Sequence, residues 1–115
     1  MNKHLLWACK NNQLEVIKAL LKSGVDVHAN EDEILQEAVY SGHTEAVRLL
    51  LENGADVHSK KDWALRRASY DGHIEMVKLL LEYGANIHAN DDDVVYWARV
   101  NDHTELLNYL LEILK

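Results

Sequence analysis

Apolar and polar positions along this chain repeat at two periods at once. Over short stretches, apolar or small residues fall at i, i+3 and i+4: Leu5-Ala8-Cys9, Leu35-Ala38-Val39, Leu65-Ala68-Ser69, and Val95-Ala98 with Arg99 breaking the set. That spacing marks one face of a helix. Each set is followed by a stronger one: Leu14-Ile17-Leu20-Leu21, Thr44-Val47-Leu50-Leu51, Ile74-Val77-Leu80-Leu81 and Thr104-Leu107-Leu110-Leu111. These predict a second amphipathic helix after every first one.

The longer period is 30 residues. Gly24, Gly54 and Gly84 keep it, as do His28, His58 and His88, and His43, His73 and His103. It divides the chain into units 1–30, 31–60, 61–90 and 91–115, each a helix, a tight turn, a helix and a loop. Neither helix of one unit can bury its stripe alone, so the units must stack. Ala8, Ala38, Ala68 and Ala98 let the backbones approach. The expected architecture is an all-α solenoid of four helix-turn-helix units joined by short loops or tight turns, forming one domain over 1–115. Lys10, Asn11, Asn12 and Lys18 make the first unit more polar, and Arg99, Asn101 and Asn108 do so for the last, so both read as caps of a complete stack.

Local signals agree with this division. Asp32, Asp62 and Asp92 stand where the first helix needs a side-chain acceptor for its free N–H groups, with Asn2 in that place in the first unit. Glu15, Glu45, Glu75 and Glu105 recur in the first turn of the second helix, where negative charge meets the positive end of the dipole. Gly24, Gly54 and Gly84 fall just past its last turn.

Two stretches carry a family resemblance: Ser41-Gly42-His43-Thr44-Glu45-Ala46-Val47-Arg48-Leu49-Leu50-Leu51-Glu52-Asn53-Gly54-Ala55-Asp56-Val57 and Asp71-Gly72-His73-Ile74-Glu75-Met76-Val77-Lys78-Leu79-Leu80-Leu81-Glu82-Tyr83-Gly84-Ala85-Asn86-Ile87. With these, essentially the whole chain resembles the ankyrin repeat family. The usual unit has about 33 residues and a Thr-Pro-Leu-His start. Here the unit has 30, and the matching stretch reads Trp63-Ala64-Leu65-Arg66. The hairpin fingers are therefore expected to be short. This shortened unit looks like those of ankyrin proteins from giant viruses and from microbes inside amoebae, an engineered variant being the other reading.

The third, seventh and tenth places of each unit lie opposite the buried fifth, eighth and ninth. They read Lys3-Trp7-Lys10, Glu33-Glu37-Tyr40, Trp63-Arg67-Tyr70 and Asp93-Trp97-Val100, which is rich in aromatics for a solvated face. The resemblance implies that this face and the finger tips line a concave groove that holds a partner protein. Trp, Tyr and Arg dominate interface energies. Trp63, Arg66, Arg67, Tyr70, Tyr96 and Trp97 are the candidate centre, extended by Tyr40 and Trp7. The tips add a charge series: acidic at Glu31-Asp32-Glu33, basic at Lys60-Lys61, acidic at Asp91-Asp92-Asp93. A partner with a basic, acidic, basic series would register on it. The alternative is lateral: equivalent places on stacked helices start roughly 8–10 Å apart, so Glu37 can pair with Arg67, and Arg67 can lie on Trp97. On that reading the chain is a scaffold or a self-associating module.

Charge narrows the partner. With 19 acidic against 12 basic residues the net charge is −7, a field that repels phosphate backbones and anionic lipid. The expected partner is a protein, not nucleic acid or a membrane, bound by a monomer, with a homodimer as the alternative. One cysteine, no Asn-x-Ser/Thr sequon and no long apolar start fit a reducing, cytosol-like compartment. For a viral or microbial protein that compartment is a host cytosol.

No enzymatic signature emerges. There is no Gly-rich phosphate loop, His-Glu-x-x-His or Gly-x-Ser-x-Gly. Six of the seven histidines keep the repeat, which spaces them too widely to converge on zinc at about 2.0–2.3 Å. By resemblance His43, His73 and His103 bond turns of neighbouring units, whereas His28, His58 and His88 read as loop residues bonding nearby backbone. Cys9 falls in the core series, and Asp91-Asp92-Asp93 reads as a solvated helix start. No catalytic residue, metal ligand or cofactor is expected.

Overall fold

Four antiparallel helix pairs follow the 30-residue period. The computed structural model describes residues 2–115. The helices are α1 (Lys3–Lys10), α2 (Leu14–Lys22), α3 (Ala29–Tyr40), α4 (Thr44–Glu52), α5 (Ser59–Asp71), α6 (Ile74–Glu82), α7 (Ala89–Val100) and α8 (Thr104–Ile113), and the described residues contain no strand. The odd-numbered helices pack side by side in one row, α1 on α3, α3 on α5 and α5 on α7, while α2, α4 and α6 pack in a second. The result is a rod of 42 × 21 × 19 Å.

The apolar stripes meet between the rows. Leu5, Ile17, Leu35, Val47, Leu65, Val77, Ala98 and Leu110 are all inaccessible or nearly so, forming one continuous core with Ala8, Ala38 and Ala68 at the helix crossings. Cys9 is buried among them, and burial pushes its thiol up to about 12. Ser69, at the place that Cys9 holds in the first unit, is buried and polar, and satisfies its hydroxyl by donating to the Val94 carbonyl. A buried hydroxyl needs such an acceptor.

Each alanine also anchors a turn. The His43, His73 and His103 N–H groups donate to the carbonyls of Ala38, Ala68 and Ala98 at 3.2, 3.0 and 2.9 Å. The residue before each histidine takes a left-handed conformation: Gly42, Gly72 and Asp102. This is the Schellman closure of the first helix. Gly54 and Gly84 close the second helix in the same way, with Ala55 and Ala85 bonding back to Leu50 and Leu80 at 3.0 Å.

The caps correct one expectation. Asn2 does cap α1, accepting the Leu5 N–H at 2.9 Å. Asp32, Asp62 and Asp92 do not cap their own helices. They are the last of three consecutive left-handed residues, Asn30-Glu31-Asp32, Lys60-Lys61-Asp62 and Asn90-Asp91-Asp92. Their place in space is fixed by this reversed turn, which stands where a hairpin finger was expected, and it aims the side chains of the first two at the loop that ends the same unit. Asp32 accepts the N–H of Asp56 at 2.9 Å and Asp62 that of Asn86 at 2.7 Å. Left-handed turns of residues other than glycine cost roughly 1–2 kcal/mol per residue. Here side chains offset that cost: Gln36 donates to the Glu31 carbonyl at 3.0 Å, and Arg66 to the Lys61 and Lys60 carbonyls at 3.1 and 3.3 Å.

Candidate partner-binding face

The outward side of the odd-numbered helices, together with the left-handed turns, carries all eight candidate residues. Tyr40 is 61% exposed, Trp7 55%, Tyr96 53% and Tyr70 42%. Trp63 is half-buried against the core, and Arg66, Arg67 and Trp97 are half-buried too.

Trp63, Arg66, Arg67, Tyr70 and Trp97 come together around one depression of about 140 Å³. A larger groove of about 690 Å³ lies beside it, with Tyr40 and Trp63 on its walls and Glu31, Glu33, Glu37 and Lys60 along it. Trp63 belongs to both. Tyr96 joins the depression only through Trp97, whose ring it meets edge-on at 5.1 Å. Trp7 lines neither hollow.

Within this face the side chains engage one another differently from the ladder suggested by position alone. The Arg67 guanidinium lies 4.9 Å from the ring centres of both Tyr40 and Tyr70, a double cation–π arrangement. Its ion pair runs along its own helix, to Asp71 at 3.2 Å, and not to Glu37. Glu37 instead faces Lys10 at 4.0 Å. Trp97 packs edge-on against Tyr70 at 5.1 Å rather than under Arg67. Tyr70, in contact with both Arg67 and Trp97, is thus the hub of the cluster.

The finger charges are partly matched internally. Lys60 reaches Glu31 at 3.8 Å, and Arg66 reaches Asp93 at 3.3 Å while holding the turn below it. Asp32 and Asp62 are buried. The acidic walls of the larger groove join Glu31 and Glu33 of the tip series to Glu37 of the helix face, a convergence that sequence position alone does not give.

The histidines hold the stack. His43 and His103 donate from Nε2 to the carbonyls of Lys10 and Tyr70, at 3.0 and 2.8 Å, across one unit boundary. His73 shares a hydrogen bond with the Thr44 hydroxyl at 3.3 Å. His28, His58 and His88 depart from expectation: their Nδ1 atoms meet the carboxylates of Asp32, Asp62 and Asp92 at 3.1, 3.0 and 2.6 Å, not backbone. The cause is the left-handed turn, which swings each aspartate back beneath its histidine. Among the described residues no three His, Cys, Asp or Glu side chains gather as metal ligands would.

The comparisons agree with the repeat. A family model for ankyrin repeats (3 copies) matches residues 2–61, and one for ankyrin repeats (many copies) matches residues 65–111. No curated protein matches the chain.

Proposed function

The chain belongs to the ankyrin-repeat family, and from that premise we propose that it is a non-catalytic module holding a partner protein against the outward face of α1, α3, α5 and α7 and the adjoining turns. Ankyrin repeats are in general protein–protein interaction modules. The observation that carries the assignment to this face is the aromatic cluster: Tyr40, Tyr70 and Tyr96 remain exposed beside Trp63 and Trp97. Rings that gain nothing from solvent and frame two hollows are what a partner's side chains would cover. Trp63, Arg67, Tyr70 and Trp97 form the centre of the proposed contact, with Arg66 and Tyr96 at its edge and Tyr40 and Trp7 extending it. The partner is a protein met in a cytosolic compartment, and the working unit is the monomer. No described helix is long and apolar enough to cross a membrane.

A second reading has its own support. Arg67 sandwiched between Tyr40 and Tyr70 is a lateral arrangement that needs no partner, as a scaffold or self-associating module would have. The two separate in one experiment. Affinity capture from cytosolic extract compares the wild type with a Trp63→Ala, Arg67→Ala, Tyr70→Ala variant verified as folded, alongside light scattering across a hundredfold concentration range. A protein retained only by the wild type supports the interaction module, whereas equal capture with a concentration-dependent mass supports self-association.

A further inference from the structure

We propose, building on the interaction-module reading, that the larger groove takes an arginine or lysine side chain from an extended segment of the partner. Three carboxylates, those of Glu31, Glu33 and Glu37, line it against the single ammonium of Lys60. Lys60 is already occupied by Glu31 at 3.8 Å, and Lys10 comes only within 4.0 Å of Glu37. Glu33 enters no ion pair among the described residues, accepting only the Asn30 amide at 3.3 Å. The groove is therefore negative at its walls, on a chain of net charge −7, and such a hollow concentrates cations.

The rings supply the second half of the site. Tyr40 and Trp63 stand on the same groove, and Tyr40 remains 61% exposed although Arg67 already lies on it. Arg67 is an internal precedent, a guanidinium held 4.9 Å from each of two tyrosine rings of this face. An incoming guanidinium would find the same kind of cation–π contact at Tyr40 or Trp63. It would also find carboxylate oxygens for its N–H fork at Glu33 and Glu37. The neighbouring depression offers no such vacancy, since at about 140 Å³ it is small and carries two guanidinium groups of its own. Anionic segments are disfavoured in the groove by like charge, which gives the site its selectivity.

The test selects peptides from a random twelve-residue display library on the intact chain, on a Glu33→Gln, Glu37→Gln variant, and on an unrelated helical protein. The glutamine replacements keep shape, and an unchanged thermal midpoint verifies the fold. Peptides enriched on the wild type should carry arginine or lysine. Their affinity should fall at least tenfold on the glutamine variant, and equally when the arginine is replaced by neutral citrulline. Enriched peptides without a basic residue, or binding both forms alike, would overturn this inference and leave the interaction-module reading standing. No enrichment over the unrelated protein would count against both.

Discussion

The carboxylate of Asp62 accepts the backbone N–H of Asn86 at 2.7 Å, a bond that joins the left-handed turn at the start of a unit to the loop at its end. The same carboxylate receives Nδ1 of His58 at 3.0 Å, so one buried side chain ties three segments together. Asp32 repeats the arrangement with Asp56 and His28. Asp92 keeps only its histidine and is exposed.

That series contains its own control. Asp62→Ala leaves a part-buried N–H without its acceptor and should destabilise the stack by about 1–3 kcal/mol. Asp92→Ala should change stability by no more than about 0.5 kcal/mol, as ordinary surface replacements do. Urea denaturation followed by circular dichroism compares the two. Equal effects would mean that the turn-to-loop bond contributes nothing.

Ala68 sits fully buried where α5 meets its neighbours. Ala68→Leu forces three more carbons into that crossing and should cost about 1–3 kcal/mol through overpacking. Trp7→Ala removes a much larger side chain, but one that is 55% exposed, and should stay within about 0.5 kcal/mol. The drop in thermal midpoint should therefore be greater for Ala68→Leu than for Trp7→Ala, although the latter is the larger change.

The architecture was legible because its causes are local and repeated: three-four spacing for the helices, the same small residue at each crossing, glycine where a helix must close. The fate of the aspartates was not. Asp32, Asp62 and Asp92 occupy the position of an N-cap, and only the left-handed backbone before them turns two of them toward the loop that ends their own unit. That conformation is disfavoured for Lys60 and Lys61 by intrinsic preference, so no local rule predicts it. The aromatics single out the proposed face, but the contact that each ring makes depends on rotamers and on offsets between helices. Position alone therefore put Arg67 on Trp97 when it lies between two tyrosines.

Gly42 and Gly72 occupy the same place in successive units and should nonetheless respond differently. Both have positive φ, 75° and 71°, so alanine at either meets a backbone strain of about 1 kcal/mol. A methyl at Gly42 would stand 3.9 Å from the His73 ring, ordinary contact, whereas one at Gly72 would fall on the His103 imidazole itself. Gly72→Ala should therefore be the worse by about 1 kcal/mol or more, the cost of overpacking. Chemical denaturation of the two single variants decides it.

Cys9 offers a probe of the first unit. Burial raises its thiol from an ordinary 9.0 to about 12, so the thiolate is suppressed in the native state and restored on unfolding. A group raised in this way contributes stability below its unfolded value, which fades as pH climbs through the native one, so mild alkali should loosen the first unit. At pH 8 a disulfide-exchange reagent should label the native thiol roughly a hundredfold or more slower than the denatured chain, since the thiolate alone attacks. Labelling at the denatured rate would place Cys9 outside the core.

The sandwich of Arg67 between Tyr40 and Tyr70 makes opposite demands on stability and on binding. Arg67→Ala and Tyr70→Ala should be non-additive in stability, because either change removes the shared contact. A cation over partly exposed rings is worth about 0.5–1 kcal/mol, so a double-mutant cycle on thermal stability should return a coupling of that size and no more. Stability would then fall too little to explain complete loss of a partner. A variant lacking both side chains that keeps most of its stability but captures no protein from extract would assign the cluster to recognition. A coupling of several kcal/mol, with capture unchanged, would make it a brace.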